Sequence, residues 1–508
     1  MRSAGLLIAP LASSGADPSQ QEASVSRLAA LGLPVPPGFR IFPREAGSPD
    51  EVDVAGFRPS LEQALHQLER QTGAILGDRT RPLFLSLFRE EDRGGEELCF
   101  GLSRITLDGL TRRTGQPLHT FESLSRLTAH LGVAAKGLPE GLFKKVRAEE
   151  LGRPGSGLDR ARRAALRSQE LYEACTAEPF PTDAAQQLLL ELAARGRRGK
   201  GPPRDAPLLI HASVFGNAGG RSGVGMLSTR DPVSGVSKGR IDYLPNATWS
   251  EFRSGVRSTV SEERLGIELP GIRAALDRAR PELERCFHNM MEAEFVVEDG
   301  HLWFLRARAG RRSARASLRI ALDMVDEGRL DRLAALDLLR DVRLERLRGD
   351  RIAADELVRP LLTALPVAAG AASGRLALSG ESARAFHAAG FDVVLFREEK
   401  DLGDLFGLAV SRGAILLGGG PASRTAAMSR RLGIPCVVGG SDLAVDCRAA
   451  LLHLGGQPIR EGDELTIDGQ SGRIYAGRLP VREAAVPDEL VHVRRWIFEA
   501  GQLDHPLG

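Results

Sequence analysis

The stretch GGGPASRTAAMSRRLGIPCVVGG, residues 418–440, restricts the possible fold more than any other part of this chain. Its leading glycines free the backbone for a tight turn and a close approach to a ligand. The segment Ala422 to Leu432 then places small and apolar residues at helical spacing. Gly433-Ile434-Pro435 stops that helix, and CVVGG has the short apolar run of a strand buried on both faces. Turn, helix and buried strand in that order predict an α/β unit. The helix start presents free N–H groups at Ser423 to Ala426, which favour an anion. Arg424 stands at that point.

A chain of 508 residues holds two to four domains at ~100–200 residues each. Its net charge of +2, with 26% charged and 42% hydrophobic residues, points to neither nucleic acid nor a membrane as partner. Of the 68 basic residues six are Lys, at 136, 144, 145, 200, 238 and 400, so 62 are Arg; no Lys precedes Lys136. The five cysteines, at 99, 175, 286, 436 and 447, show no metal-ligand spacing, which fits a reduced, cytoplasmic setting without zinc or disulfides. MRSAGLLIAPLASSGA reads as a strand and turn rather than a signal peptide, and no run approaches the ~20 apolar residues of a membrane helix.

Along the chain, residues 23–33 predict a short helix, followed by strands at PVPPGFRIF and PLFLSLF. Residues 108–200 predict helices with solvated, Arg-rich faces. Strands return at PLLIHASVFGN, SGVGMLSTRDPVSG, RIDYLP and EAEFVVEDGHLWFLRARAG, with VEDGHL as a hairpin. A long helix begins near Ser313, LPVAAGAASG reads as a small-residue linker, and EGDELTIDGQSGRIYAG as a closing hairpin before a helix at 488–500.

Taken together, LGLPVPPGF (31–39), VFGNAGGRSGVGMLSTRDPVSG (214–235), EAEFVVEDGHLWFLRARAGRRSARASLRIALDMVDEG (292–328), the 418–446 stretch and EGDELTIDGQSGRIYAG resemble the pyruvate phosphate dikinase family of PEP-utilising enzymes, in family order. The resemblance implies a fold that is α/β and α+β multidomain: an ATP-grasp nucleotide-binding domain with a helical insert, then a swivelling β/β/α phosphohistidine-like domain. On this chain it implies ATP-grasp subdomains at 1–107 and 205–312, an insert at 108–204, a helical linker at 313–365, the swivelling domain at 366–479 and a helical tail at 480–508. Residues after 480 are too few for the family's C-terminal barrel of ~250 residues. The half-reactions with phosphoenolpyruvate and pyruvate are therefore not expected of this sequence.

Residue by residue, the family's Gly-Gly-x-Thr-Ser-His signature falls on Gly419, Gly420, Pro421, Ala422, Ser423 and Arg424, so the phosphate-carrying histidine is Arg424. A guanidinium has no lone pair for attack on a γ-phosphate. Gly419, Gly420, Ser423 and Arg424 are left as anion-binding candidates, with a salt bridge or neutral drift as alternatives for Arg424. The family's phosphate-binding lysine falls on Gln21, and its strand-end arginine on Phe88, with Arg89 one residue beyond. Asp242, Glu292, Glu294 and Arg308 match nucleotide-site positions, Glu294 being the candidate Mg²⁺ ligand, while Arg306 replaces a glutamine. Without the family, Glu292 and Glu294 read as an exposed strand face, and GNAGGRSGVG as either a phosphate cradle or a flexible loop. With Arg306 in place of the glutamine, a cation is expected beside Glu294, where a salt bridge would substitute for the metal. The reading is a dikinase-like pseudoenzyme, weakly binding ATP and Mg²⁺ at most, with a binding or regulatory role. Its rivals are a phosphotransferase with another acceptor and a non-catalytic subunit that partners a full-length PEP-utilising enzyme.

Overall fold

A computed structural model of the chain describes residues 6–11, 22–23, 25–43, 54–89, 98–197, 208–254, 257–342, 350–353, 358–398, 405–418, 423–439, 443–446, 449–483, 487–502 and 505–507. Contacts divide it into two units, one formed by Met1–Gly223 with Val296–Ala307, the other by Val224–Phe295 with Arg308–Gly508. No helix among the described residues is long and apolar enough to cross a membrane.

In the first unit, strands β1 (Leu6–Pro10), β2 (Gly38–Pro43), β3 (Leu85–Arg89) and β4 (Leu208–Ala212) form an antiparallel sheet in the order β1-β2-β4-β3. Alternation aims Phe39, Ile41, Leu85, Leu87 and Ile210 into one core. Helix α1 (Val54–Thr72) adds Leu61, Leu65 and Leu68 at helical spacing. The predicted helical stretch resolves into α2 (Leu107–Thr114), α3 (Pro117–Lys136), α4 (Glu140–Leu151), α5 (Gly157–Thr176) and α6 (Ala184–Arg197). Its Arg-rich faces are not simply solvated. Arg153, Arg163 and Arg167 converge on the buried Glu150 carboxylate at 2.9, 2.9 and 2.7 Å. Hydrogen bonds from Arg167 hold that carboxyl below the usual range against the opposing effect of burial.

The second unit begins within β5 (Gly223–Ser228) and continues through β6 (Arg240–Pro245) and helices α7 (Trp249–Ser254) and α8 (Pro270–Phe287) into β7 (Met291–Glu298); the hairpin of β7 with β8 (His301–Ala309) belongs to the first unit over Val296–Ala307. The hairpin predicted at VEDGHL is present. Asp299 and Gly300 both take positive φ, 45° and 77°, as a two-residue turn between right-twisted strands requires. Strand β7 lies beside β5, and β5 beside β6. Helix α9 (Ala314–Asp326) starts at Ser313, whose hydroxyl accepts from the Ala316 N–H at 3.0 Å, where the sequence placed it.

The predicted linker LPVAAGAASG is instead two strands, β9 (Leu365–Ala368) and β10 (Ala371–Ala377). Small residues read as a linker by composition, but here neighbouring backbone of the same chain packs against them: a Cβ on Gly374 would sit 2.7 Å from the Asp392 backbone. With β11 (Val393–Glu398), β12 (Gly413–Leu417), β13 (Cys436–Gly439), β14 (Glu464–Asp468), β15 (Arg473–Ala476) and Leu362–Thr363 they make an eight-stranded sheet. Its centre, β10-β11-β12-β13, is parallel. Alternate residues of these apolar runs serve two cores. Leu376, Val394, Phe396, Ile415 and Val437 meet Leu443, Leu452 and Leu454 of a three-stranded sheet. Ala377, Leu395, Leu416 and Val438 meet Ala383, Leu408 and Ala426 of helices. The layers are therefore β/β/α. Helix α10 (Arg424–Leu432) crosses from β12 to β13 and ends at Gly433 in the left-handed region. A final helix, α11 (Leu490–Glu499), buries Leu490, Val493, Trp496 and Ile497.

Candidate functional site

Strands β6 and β7 position the acids. Tyr243 and Phe295 stack at 6.2 Å on one face, and the two-residue period sends Asp242, Glu292 and Glu294 to the other. The alternative of an exposed strand face does not hold: these residues keep only 5%, 6% and 7% of their exposure. Three carboxylates so buried must be paired or hydrogen-bonded.

Arginines supply the pairs. Arg240 Nε donates to Asp242 Oδ1 at 3.1 Å from the same strand. Arg308 donates through Nε and Nη2 to Glu292 Oε2, each at 3.2 Å. Arg253 of α7 reaches Glu294 Oε2 at 3.8 Å and lies 5.5 Å over the Trp249 ring. Nearby, Arg312 donates to Asn289 Oδ1 at 2.6 Å and to Ser317 Oγ at 3.2 Å. Burial lowers its pKa to about 10, with Glu292 opposing that shift. Beyond these lies a buried network. Arg230, 1% exposed at its side chain, makes a two-pronged pair with Glu284 at 3.0 Å and meets Glu327 at 2.7 Å. Arg329 completes it, 2.8 Å from both Glu284 and Glu327.

A carboxylate oxygen that accepts from a guanidinium has a lone pair less to give a cation, and Arg itself offers none. Among the described residues no three His, Cys, Asp or Glu side chains come together as a metal-binding group. The arrangement is suited to holding its own arginines or an anion that competes for them.

Gln21, Gly419 and Gly420 lie outside the described residues, as do the side chains of Arg89 and Arg424. Phe88 stacks on His211 at 5.2 Å, so an aromatic pair fills the place expected of a phosphate-contacting arginine. Arg306 is partly exposed on β8 in the first unit. Ser423 caps α10, its hydroxyl accepting from the Ala426 N–H at 3.3 Å, so one of the four N–H groups expected to be free is already used. The glycine loop is tied down: Gly300 N–H donates to the Arg221 carbonyl and Asp299 N–H to Ser222 Oγ, both at 2.9 Å.

Sequence reasoning missed Arg240, Arg253 and Arg312. The first was legible, because Arg240 and Asp242 share a face at period two. Nothing in WSEFRS marks Arg253 as a partner for an acid 41 positions later.

The family described as PEP-utilising enzyme, mobile domain, matches residues 391–472. Over 475 residues the chain is 28% identical to pyruvate, phosphate dikinase 2 of Zea mays, covering 86% of this chain and 53% of the relative. The chloroplastic pyruvate, phosphate dikinase of Flaveria pringlei is 28% identical over 474 residues, covering 86% and 49%. The pyruvate, phosphate dikinase of Rhizobium meliloti (strain 1021) is 28% identical over 479 residues, covering 86% and 53%. The chain spans about half the length of these curated relatives.

Proposed function

We propose that this chain, a member of the pyruvate, phosphate dikinase family, is a pseudoenzyme that binds rather than transfers phosphate and acts in a binding or regulatory role. The observation that carries the reading is the occupied acid face: Asp242, Glu292 and Glu294 are each engaged by an arginine of their own unit. In the ATP-grasp reading of 1–312 this face is where Mg²⁺ and nucleotide would sit. Mg²⁺ demands near-octahedral oxygen ligation, and guanidinium-bound acids do not fit it. At the carrier position, Arg424 offers a fixed cation and no nucleophile. Together with Ser423 at the helix start, it makes that position an anion holder.

Two measurements test this. Titration calorimetry with ATP is expected to give weak binding that Mg²⁺ does not strengthen; a submicromolar, Mg²⁺-dependent dissociation constant overturns it. Arg424→His restores the imidazole, yet is expected to take no label from radioactive ATP, because the donor site stays blocked. Labelling of that variant shows a working donor site and ends the pseudoenzyme reading.

A further inference from the structure

Arg113 stands in the last turn of α2, and its guanidinium meets two segments that are far away in the chain. Its Nε and Nη2 donate to the two oxygens of Glu298, at the end of β7, at 2.7 and 2.9 Å. The same Nη2 donates to the Ser213 carbonyl at 3.3 Å, and the flat face of the group lies 4.8 Å over the Phe215 ring. Phe215 is buried, set edge-on to Phe84 at 6.0 Å. Just past the helix, Gln116 Oε1 accepts from the side-chain amide of Asn217 at 3.2 Å. All of these residues lie in the first unit.

The glycine loop, residues 216–222, is therefore held at both ends. Arg113 and Gln116 hold its start, through Ser213, Phe215 and Asn217. The turn between β7 and β8 holds its end, through Arg221 and Ser222. Between the two holds, a Cβ on Gly219 or Gly220 would meet nothing within 4 Å. Glu298 joins the holds, because it precedes Asp299, whose N–H donates to Ser222 Oγ. Only 13% of the Glu298 side chain and 34% of Arg113 is exposed, so the pair is more sheltered than an ordinary surface salt bridge. A planar fork can grip a carboxylate with two bonds and still offer a face to an aromatic ring, which an ammonium cannot do. We infer that Arg113 is the clamp that fixes the glycine loop between α2 and the β7–β8 turn. The position of that loop is then set by the helix that carries Arg113. This goes beyond the proposed function and does not depend on whether the chain binds a nucleotide.

Hydrogen exchange of the full chain tests the clamp, read on peptides covering 213–222 and 298–301, with 124–135 of α3 as the control. Arg113→Met is expected to speed exchange at least tenfold in the first two stretches and to leave the control within twofold of the parent. Glu298→Gln is expected to loosen 213–222 in the same direction, and the double variant to go no further than Arg113→Met alone. The clamp is overturned if Arg113→Met leaves 213–222 within twofold of the parent, if the control loosens equally, or if the two substitutions act independently. Should Arg113→Met fail to fold, Arg113→Lys decides, since it keeps the charge without the fork or the flat face. More than twofold faster exchange at 213–222 with an unchanged control supports the clamp, and parent-like protection there refutes it.

Discussion

Replacing Arg230 by Met is expected to destabilise the chain by about 3–5 kcal/mol, the usual penalty for removing one partner of a buried ion pair. The side chain is 1% exposed and Glu284 only 6%, so water cannot replace the lost guanidinium. Glu284 would retain Arg329 at 2.8 Å, but one of its two arginines would be gone. Glu327 would lose its 2.7 Å contact with Arg230 as well. Urea unfolding checks the value through the shift in midpoint at unchanged slope. The double variant Arg230→Met, Glu284→Leu is expected to lose less than the sum of the two single changes, since the uncompensated carboxylate is gone. Strict additivity would show that Arg230 acts through packing and not through charge.

His211 gives the second large effect, visible as a pH dependence. Its ring is fully buried in β4, stacked on Phe88, with Nδ1 2.8 Å from the Ala212 carbonyl. That geometry makes Nδ1–H the donor and leaves Nε2 buried with no hydrogen-bond partner. Burial lowers the pKa from the ordinary 6.5 to about 4. The unfolded chain therefore takes up the proton first as pH falls. The His211 contribution is fully present above pH 6.5 and is lost progressively as pH drops from 6.5 toward about 4, amounting to about 3 kcal/mol across that window. His211→Asn keeps a donor for the carbonyl but cannot titrate. It is expected to be less stable than the parent at pH 7.5, with the gap closing by about 3 kcal/mol at pH 4. A gap that stays constant with pH, measured by urea unfolding at each pH, would mean that His211 does not titrate in this window.

Local chemistry left a clear record in the sequence. Asp299-Gly300 specifies a turn whatever surrounds it, because both residues tolerate positive φ. Ser313 announces the start of α9 through its cap, and Gly433 the end of α10 through its left-handed backbone. The run CVVGG reads as a short strand covered on both sides, and Cys436–Gly439 takes that place in the parallel centre of the large sheet. The expectation that Arg424 stands where the family has its phosphate-carrying histidine likewise comes from sequence alone.

Burial and partnership were decided by the tertiary structure. Glu292 and Glu294 share a face by the period of a strand, but only packing settles whether that face meets water. Here it is buried, and the cost is offset by arginines from β8 and α7, 16 and 41 positions from the acids they meet. In a chain with 62 Arg among its 68 basic residues, no local signal separates the arginines that pair with buried acids from those that face solvent. The same limit hid Arg163 and Arg167 around Glu150, and Arg230 within STRDPVSG. Ala371 to Gly374 looked like a linker because small side chains carry almost no pattern, yet they are what lets neighbouring backbones come close. Periodicity and turn chemistry act within a few residues and can be read along the chain; ion pairing and close packing join residues far apart in it, and only the fold brings them together.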